Sequence, residues 1–157
     1  MKVKVNMLRI TKMTDYAVLI LANLALHDKS FLTAKEIAGE THISLPTVQK
    51  ILKKLNRKSL VISKQGASGG YALDAGTKDI SVADLLMKID GDLSITQCSS
   101  DDDQCQVEDF CNIGNAWQMI NQRVQWALND ITLGDLIQPT RIEQFISTNI
   151  PVSKENH

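Results

Sequence analysis

The sequence predicts a mostly α-helical fold with a small β-hairpin wing, namely a winged helix-turn-helix domain followed by a long dimerisation helix. Three observations predict it. Two capped helical segments, "TAKEIAGET" and "HISLPTVQKILKKLNRKS", stand only a few residues apart, and the second is apolar on one face and basic on the other. The β-prone runs "LVIS" and "YAL" follow directly and flank a glycine-rich turn. Further on, Ile113, Ala116, Trp117, Ile120, Val124, Ala127, Leu128 and Ile131 recur at spacings of three and four, the signature of a long amphipathic helix.

Element by element, "TDYAVLILANLALHD" has Thr14 as its expected cap and Asp15 in the first turn, where the helix dipole favours a carboxylate. It should form a largely buried first helix. Thr33 and Glu36 have capping-box spacing and start a short second helix with Ile37 and Ala38 inward. Ser44 precedes Pro46 and opens a third helix that turns Val48, Ile51, Leu52 and Leu55 to one side. Its other side offers Thr47, Gln49, Lys50, Lys53 and Lys54. "SVADLLMKIDG" gives a fourth helix, with Ser81 as cap, Asp84 at the box position and Gly91 as stop. The expected organisation is a winged helix-turn-helix domain over residues 7–91, a cysteine-containing loop over 92–112, a dimerisation helix over 113–137 and a flexible tail over 138–157.

The 157 residues suffice for one domain with an extension, and 4% aromatics imply a core of Leu, Ile, Val and Ala. The longest apolar run, "YAVLILANLAL", is about half of a bilayer-spanning length, and no cleavage site follows the basic opening "MKVKVNMLRITK". A cytoplasmic location without membrane contact is expected. A formal net charge of -1 conceals a segregation: no Asp or Glu lies between Thr41 and Leu73, where Lys50, Lys53, Lys54, Arg57, Lys58 and Lys64 fall. Acids crowd the stretch downstream.

On a basic helix-turn-helix with a wing, Lys50, Lys53, Lys54 and Lys64 would neutralise phosphates of double-stranded DNA, while Thr47 and Gln49 stand where base edges are read. Ser68 and Gly69 at the wing would let backbone approach a phosphate. The competing reading is a solvated basic face. "GASGGY" lacks the Gly-Lys-Ser/Thr ending of a phosphate loop, and His27, His42 and His157 belong to no catalytic constellation, so no enzyme is expected. The apolar stripe around Trp117 and Trp126 needs cover, which a homodimer would supply.

All three cysteines, Cys98, Cys105 and Cys111, lie among acids in "TQCSSDDDQCQVEDFCN". Bare thiols there would have raised pKa values, whereas a metal reverses the local field. Spacings of six and five intervening residues are wide for zinc and suit a larger inorganic group such as an iron-sulfur cluster. A zinc or thiol interaction module without DNA function is the alternative of another class.

Together "MLRITKMTDYAV", "EIAGETHISLPTVQKILKKLNRKSLV", "GASGGYAL", the three cysteines and "ITLGDL" resemble the winged-helix iron-sulfur regulators of the Rrf2 family, over roughly residues 7 to 137. That family includes the cluster-assembly regulator IscR and the nitric-oxide-sensitive repressor NsrR. The resemblance implies a dimeric transcription factor, usually a repressor, whose cluster of 2Fe–2S or 4Fe–4S type tunes DNA affinity. In the IscR pattern a histidine follows the third cysteine by three residues, but here Gly114 stands there. In the NsrR-like pattern an aspartate of the first helix completes the coordination from the partner subunit, and Asp15 matches it. Two readings of Asp15 stand, fourth ligand or first-turn carboxylate. "LRITKMTDYAVLILANLA" is most similar to the branch that regulates SUF cluster-assembly genes, with a nitric-oxide sensor as the alternative.

Overall fold

A computed structural model describes residues 10–27, 30–91 and 114–138. In chain order its elements are α1 (Lys12–Leu26), α2 (Ala34–Thr41), α3 (Leu45–Arg57), β1 (Val61–Lys64), β2 (Gly70–Leu73), a 3-10 turn (Thr77–Asp79), α4 (Val82–Asp90), α5 (Gly114–Asn129) and α6 (Leu133–Ile137). The fold is the expected one, mostly helical with a two-stranded antiparallel hairpin.

Helix α1 lies at the centre. Ala17, Ile20, Leu21 and Leu24 are almost wholly buried, and α2, α3, β2, α4 and α6 all pack against it. Its cap is not Thr14 but Thr11, whose hydroxyl accepts the Thr14 amide at 3.2 Å. Both threonines have the cap chemistry; the choice is made by tertiary structure, because the fully buried Thr14 donates its hydroxyl to Asp90 at the end of α4.

The capping box of α2 forms as expected: Glu36 N–H donates to Thr33 Oγ1 at 3.2 Å, and Thr33 N–H donates to Glu36 Oε2 at 2.7 Å. The bonds from Thr33, backbone first, hold the Glu36 carboxyl below its ordinary pKa. At the other end of α2, Glu40 accepts Asn23 Nδ2 at 2.7 Å and meets His27 Nε2 at 2.8 Å, which clips α2 to α1. The Asn23 bond, then that of His27, lowers the Glu40 pKa as well.

In α3, Val48, Ile51, Leu52 and Leu55 are all at 1% exposure or less, as their spacing requires. Ser44 occupies the cap position, but its hydroxyl bonds that of Thr47 at 2.7 Å and caps no backbone amide. Pro46 in the first turn already removes one amide that would need a partner. Ser81 Oγ accepts the Asp84 amide at 3.1 Å and donates to Asn129 Oδ1 at 3.1 Å, which ties the start of α4 to the end of α5.

Residues 113–137, expected as one helix, contain two. After α5 the chain turns back: Val82 N–H donates to Ile131 O at 2.7 Å and Leu133 N–H to Ile80 O at 3.0 Å. Thr132 and Asp135 form a second capping box that starts α6 and drives Leu133 into the core at 0% exposure. The break is written in "ITLGDL", where a capping threonine interrupts the stripe. The cysteine loop over 92–112 and the tail from residue 139 lie outside the described residues. Among the described residues no helix is long and apolar enough to cross a membrane.

Because Leu133 is fully buried and Leu136 is 37% exposed, Leu133→Ala should cost about 2–5 kcal/mol of folding free energy and Leu136→Ala far less. Paired urea unfolding curves at equal slope measure both.

Candidate nucleic-acid interface

Between α2 and α3 the chain spends only three residues, 42–44. His42 adopts the left-handed conformation with φ 56°, Ile43 is buried beneath the turn, and Thr41 Oγ1 donates to Ile37 O at 2.6 Å to close the end of α2. This fixes α3 across α2 with one face in the core and the other in solvent.

The exposed face carries Pro46, Gln49, Lys50, Lys53 and Arg57. Lys50, Lys53 and Arg57 are three and four residues apart, so the cations run along one ridge. The expected set shifts at both edges. Thr47 is half-buried, with its hydroxyl shared with Ser44. Lys54 is also half-buried and lies against α1, its Nζ 3.8 Å from the Met13 sulfur. Arg57, by contrast, joins the ridge although the expected contact set omitted it. The spacing of 50, 53 and 57 was the signal that could have found it.

The hairpin stands beside this ridge in the chain. Its register runs from Val61 opposite Leu73 to Lys64 opposite Gly70, with residues 65–69 as the tip. Ser68 is exposed there, and Gly69 N–H donates to Gly66 O at 3.0 Å. A Cβ at Gly69 would collide with the Lys64 carbonyl oxygen, so only glycine closes the tip this tightly. Lys64 is exposed with its ammonium 5.8 Å from the Phe31 ring, which steadies its stem without hiding its charge.

One connection had no sequence signal. Leu32 and Tyr71 exchange two backbone hydrogen bonds, Leu32 N–H to Tyr71 O at 2.9 Å and Tyr71 N–H to Leu32 O at 2.7 Å. Strand β2, one residue from the tip end of the ladder, is thereby fastened to the entry of α2. Asn56 Nδ2 adds a weaker tie from α3 to Ser63 Oγ at 3.4 Å.

The expected metal ligands are divided. Cys98, Cys105 and Cys111 lie outside the described residues. Asp15 is exposed in the first turn of α1. By chemistry alone, one carboxylate and three thiols make a donor set that fits iron. Among the described residues no three His, Cys, Asp or Glu side chains gather into a metal site.

Helix α5 is exposed along much of its length, with Trp117 at 37%, Met119 at 59%, Ile120 at 42% and Trp126 at 52%. Met119, Ile120, Arg123, Val124 and Ala127 line a shallow apolar groove on it.

A model of the Rrf2 family, described as iron-dependent transcriptional regulators, matches residues 10–139. The chain is 32% identical to the HTH-type transcriptional regulator IscR of Vibrio atlanticus over 136 residues, 86% of this chain and 78% of that protein. Among solved structures it is similar to CymR, the global cysteine regulator of B. subtilis, with a TM-score of 0.67 and 27% identity over 85% of this chain and 98% of that one. It is likewise similar to T. potens IscR, with a TM-score of 0.65 and 26% identity over 87% and 91% of the two chains.

Gly70 has φ 145°, and a Cβ there would strike the Leu32 carbonyl. Gly70→Ala should therefore lower stability by roughly 1–3 kcal/mol. Gly39, inside α2 with open space around it, gives the opposite sign, Gly39→Ala stabilising by about 0.5–1 kcal/mol. Thermal melts of the two variants measure both.

Proposed function

The chain belongs to the Rrf2 family of DNA-binding transcriptional regulators, and on that premise we propose that it is a cytoplasmic, homodimeric repressor that senses iron-sulfur cluster status and controls SUF-type cluster-assembly genes. The observation that carries the reading is the ridge of Gln49, Lys50, Lys53 and Arg57 on α3, beside a hairpin whose glycine-built tip bears Ser68 and whose first strand ends at Lys64. Lysines and Arg57 neutralise phosphates and fix the register of the protein on the duplex; Gln49 reads a base edge in the major groove. Thr47 and Lys54 act from the margin, one at the start of α3 and one against α1.

Cys98, Cys105 and Cys111 would hold the cluster, with Asp15 of the partner subunit as fourth ligand, since Gly114 has no donor side chain. When bound, a cluster supplies iron that responds to oxidants and to cluster supply. The residues of the chain do the rest: α5 presents Trp117, Ile120 and Trp126 to a second copy, and two copies set two α3 helices against successive major grooves. Placing the cysteines between the DNA-reading unit and α5 lets one ligand set bear on both.

Gly114 and Asp15 also favour a second reading, a nitric-oxide-sensing repressor. Titrating the loaded protein with nitric oxide while following its affinity for SUF promoter DNA separates the two.

Anaerobic reconstitution with iron and sulfide should produce a thiolate-to-iron absorbance band that Cys105→Ala abolishes. A colourless, iron-free protein after reconstitution would sink the cluster assignment. On promoter DNA, Lys53→Ala should weaken binding and reduce the slope of log affinity against log salt by about one. Affinity indifferent to salt and to this substitution counts against docking through α3.

A further inference from the structure

The carboxylate of Asp90 occupies an unusual place. It is the last residue of α4, where the helix dipole disfavours negative charge, yet it stands at the first turn of α1, where the dipole favours it. Thr11 Oγ1 lies 3.4 Å from Asp90 Oδ1 and 3.3 Å from Oδ2, and the Thr14 hydroxyl donates to Oδ2. Thr14 has no solvent exposure, so its hydroxyl depends on this carboxylate and on Thr11 Oγ1, 2.9 Å away. Asp90 thus braces the cap of α1 from another helix.

What flanks this contact gives it a role beyond stability. Gly91 ends α4 with φ 94°, and the cysteine segment begins at the next residue. On the other side, the same turn of α1 carries Asp15 and Met13, and the Met13 sulfur lies 3.8 Å from Lys54 Nζ on α3. A single helical turn therefore touches the root of the cysteine segment, the candidate fourth ligand and the recognition helix.

We propose that Asp90 is the positioning residue through which the cysteine segment and the recognition helix bias one another, by way of Thr11, Thr14 and the first turn of α1. The inference rests on the cluster-regulator reading and names the contact that carries its regulation. Coupling of this kind is reciprocal and has a free energy that two affinities measure. A purely structural residue, when altered, weakens apo and cluster-loaded forms alike and leaves their ratio intact. A positioning residue changes the ratio.

The test uses the full chain, apo and reconstituted, and a fluorescent duplex selected by the wild-type protein from a randomised library. Wild type should show an affinity ratio between the two forms of about 5-fold or more, in whichever direction. Asp90→Asn, which removes the charge, should bring that ratio to about two-fold or less while cluster absorbance and helical circular dichroism persist. Thr14→Val, which keeps the branched shape and leaves Asp90 in place, should do the same and carries the test if Asp90→Asn does not fold. A wild-type ratio retained in the folded variants overturns this inference alone. A wild type that takes up no cluster overturns the functional reading and this inference with it.

Discussion

The burial of α1 is the constraint on which the rest of the structure depends. A helix with Ala17, Ile20, Leu21 and Leu24 almost wholly inaccessible needs neighbours on most sides, and five other elements are positioned by supplying them. Helices α2 and α3 cover one flank, β2 and α4 others, and α6 returns from the C-terminal part to close the remainder. Anything that shifts α1 is therefore felt by both the recognition helix and the segment leading to the cysteines.

Charge is arranged around this core without entering it. Apart from Thr14, Thr77 and Asn121, the described interior is apolar, so the acid-free stretch from Thr41 to Leu73 carries its cations on the surface. Net charge near zero is the sum of two oppositely charged parts, and it says little about the field a phosphate backbone would meet at α3.

Most of the fold was legible because its signals are local. The capping box of Thr33 and Glu36, the apolar stripe of α3 and the glycines of the hairpin each act within a few residues and behave as read. Misreadings occurred where a distant partner decided. Thr11 and Thr14 are equivalent as caps until Asp90, 76 residues beyond Thr14, takes one of them. Lys54 is an outer-face cation by periodicity until Met13 lies beneath it. The single-residue bridge between Leu32 and Tyr71 has no period at all, so no pattern could announce it. For the candidate site, the ridge on α3 was largely readable from spacing, whereas the proposed ligands are split between Asp15 and a segment outside the described residues.

That bridge governs how a duplex could be gripped. Because the hairpin is bonded to the entry of α2, and α2 is joined to α3 by a turn of three residues, the two arms behave as the fixed jaws of a caliper. Opening or closing them within one subunit would sacrifice paired backbone bonds. In the proposed dimer, accommodation of a longer or shorter binding site would then arise between copies of the chain, in the rotation of one caliper against another.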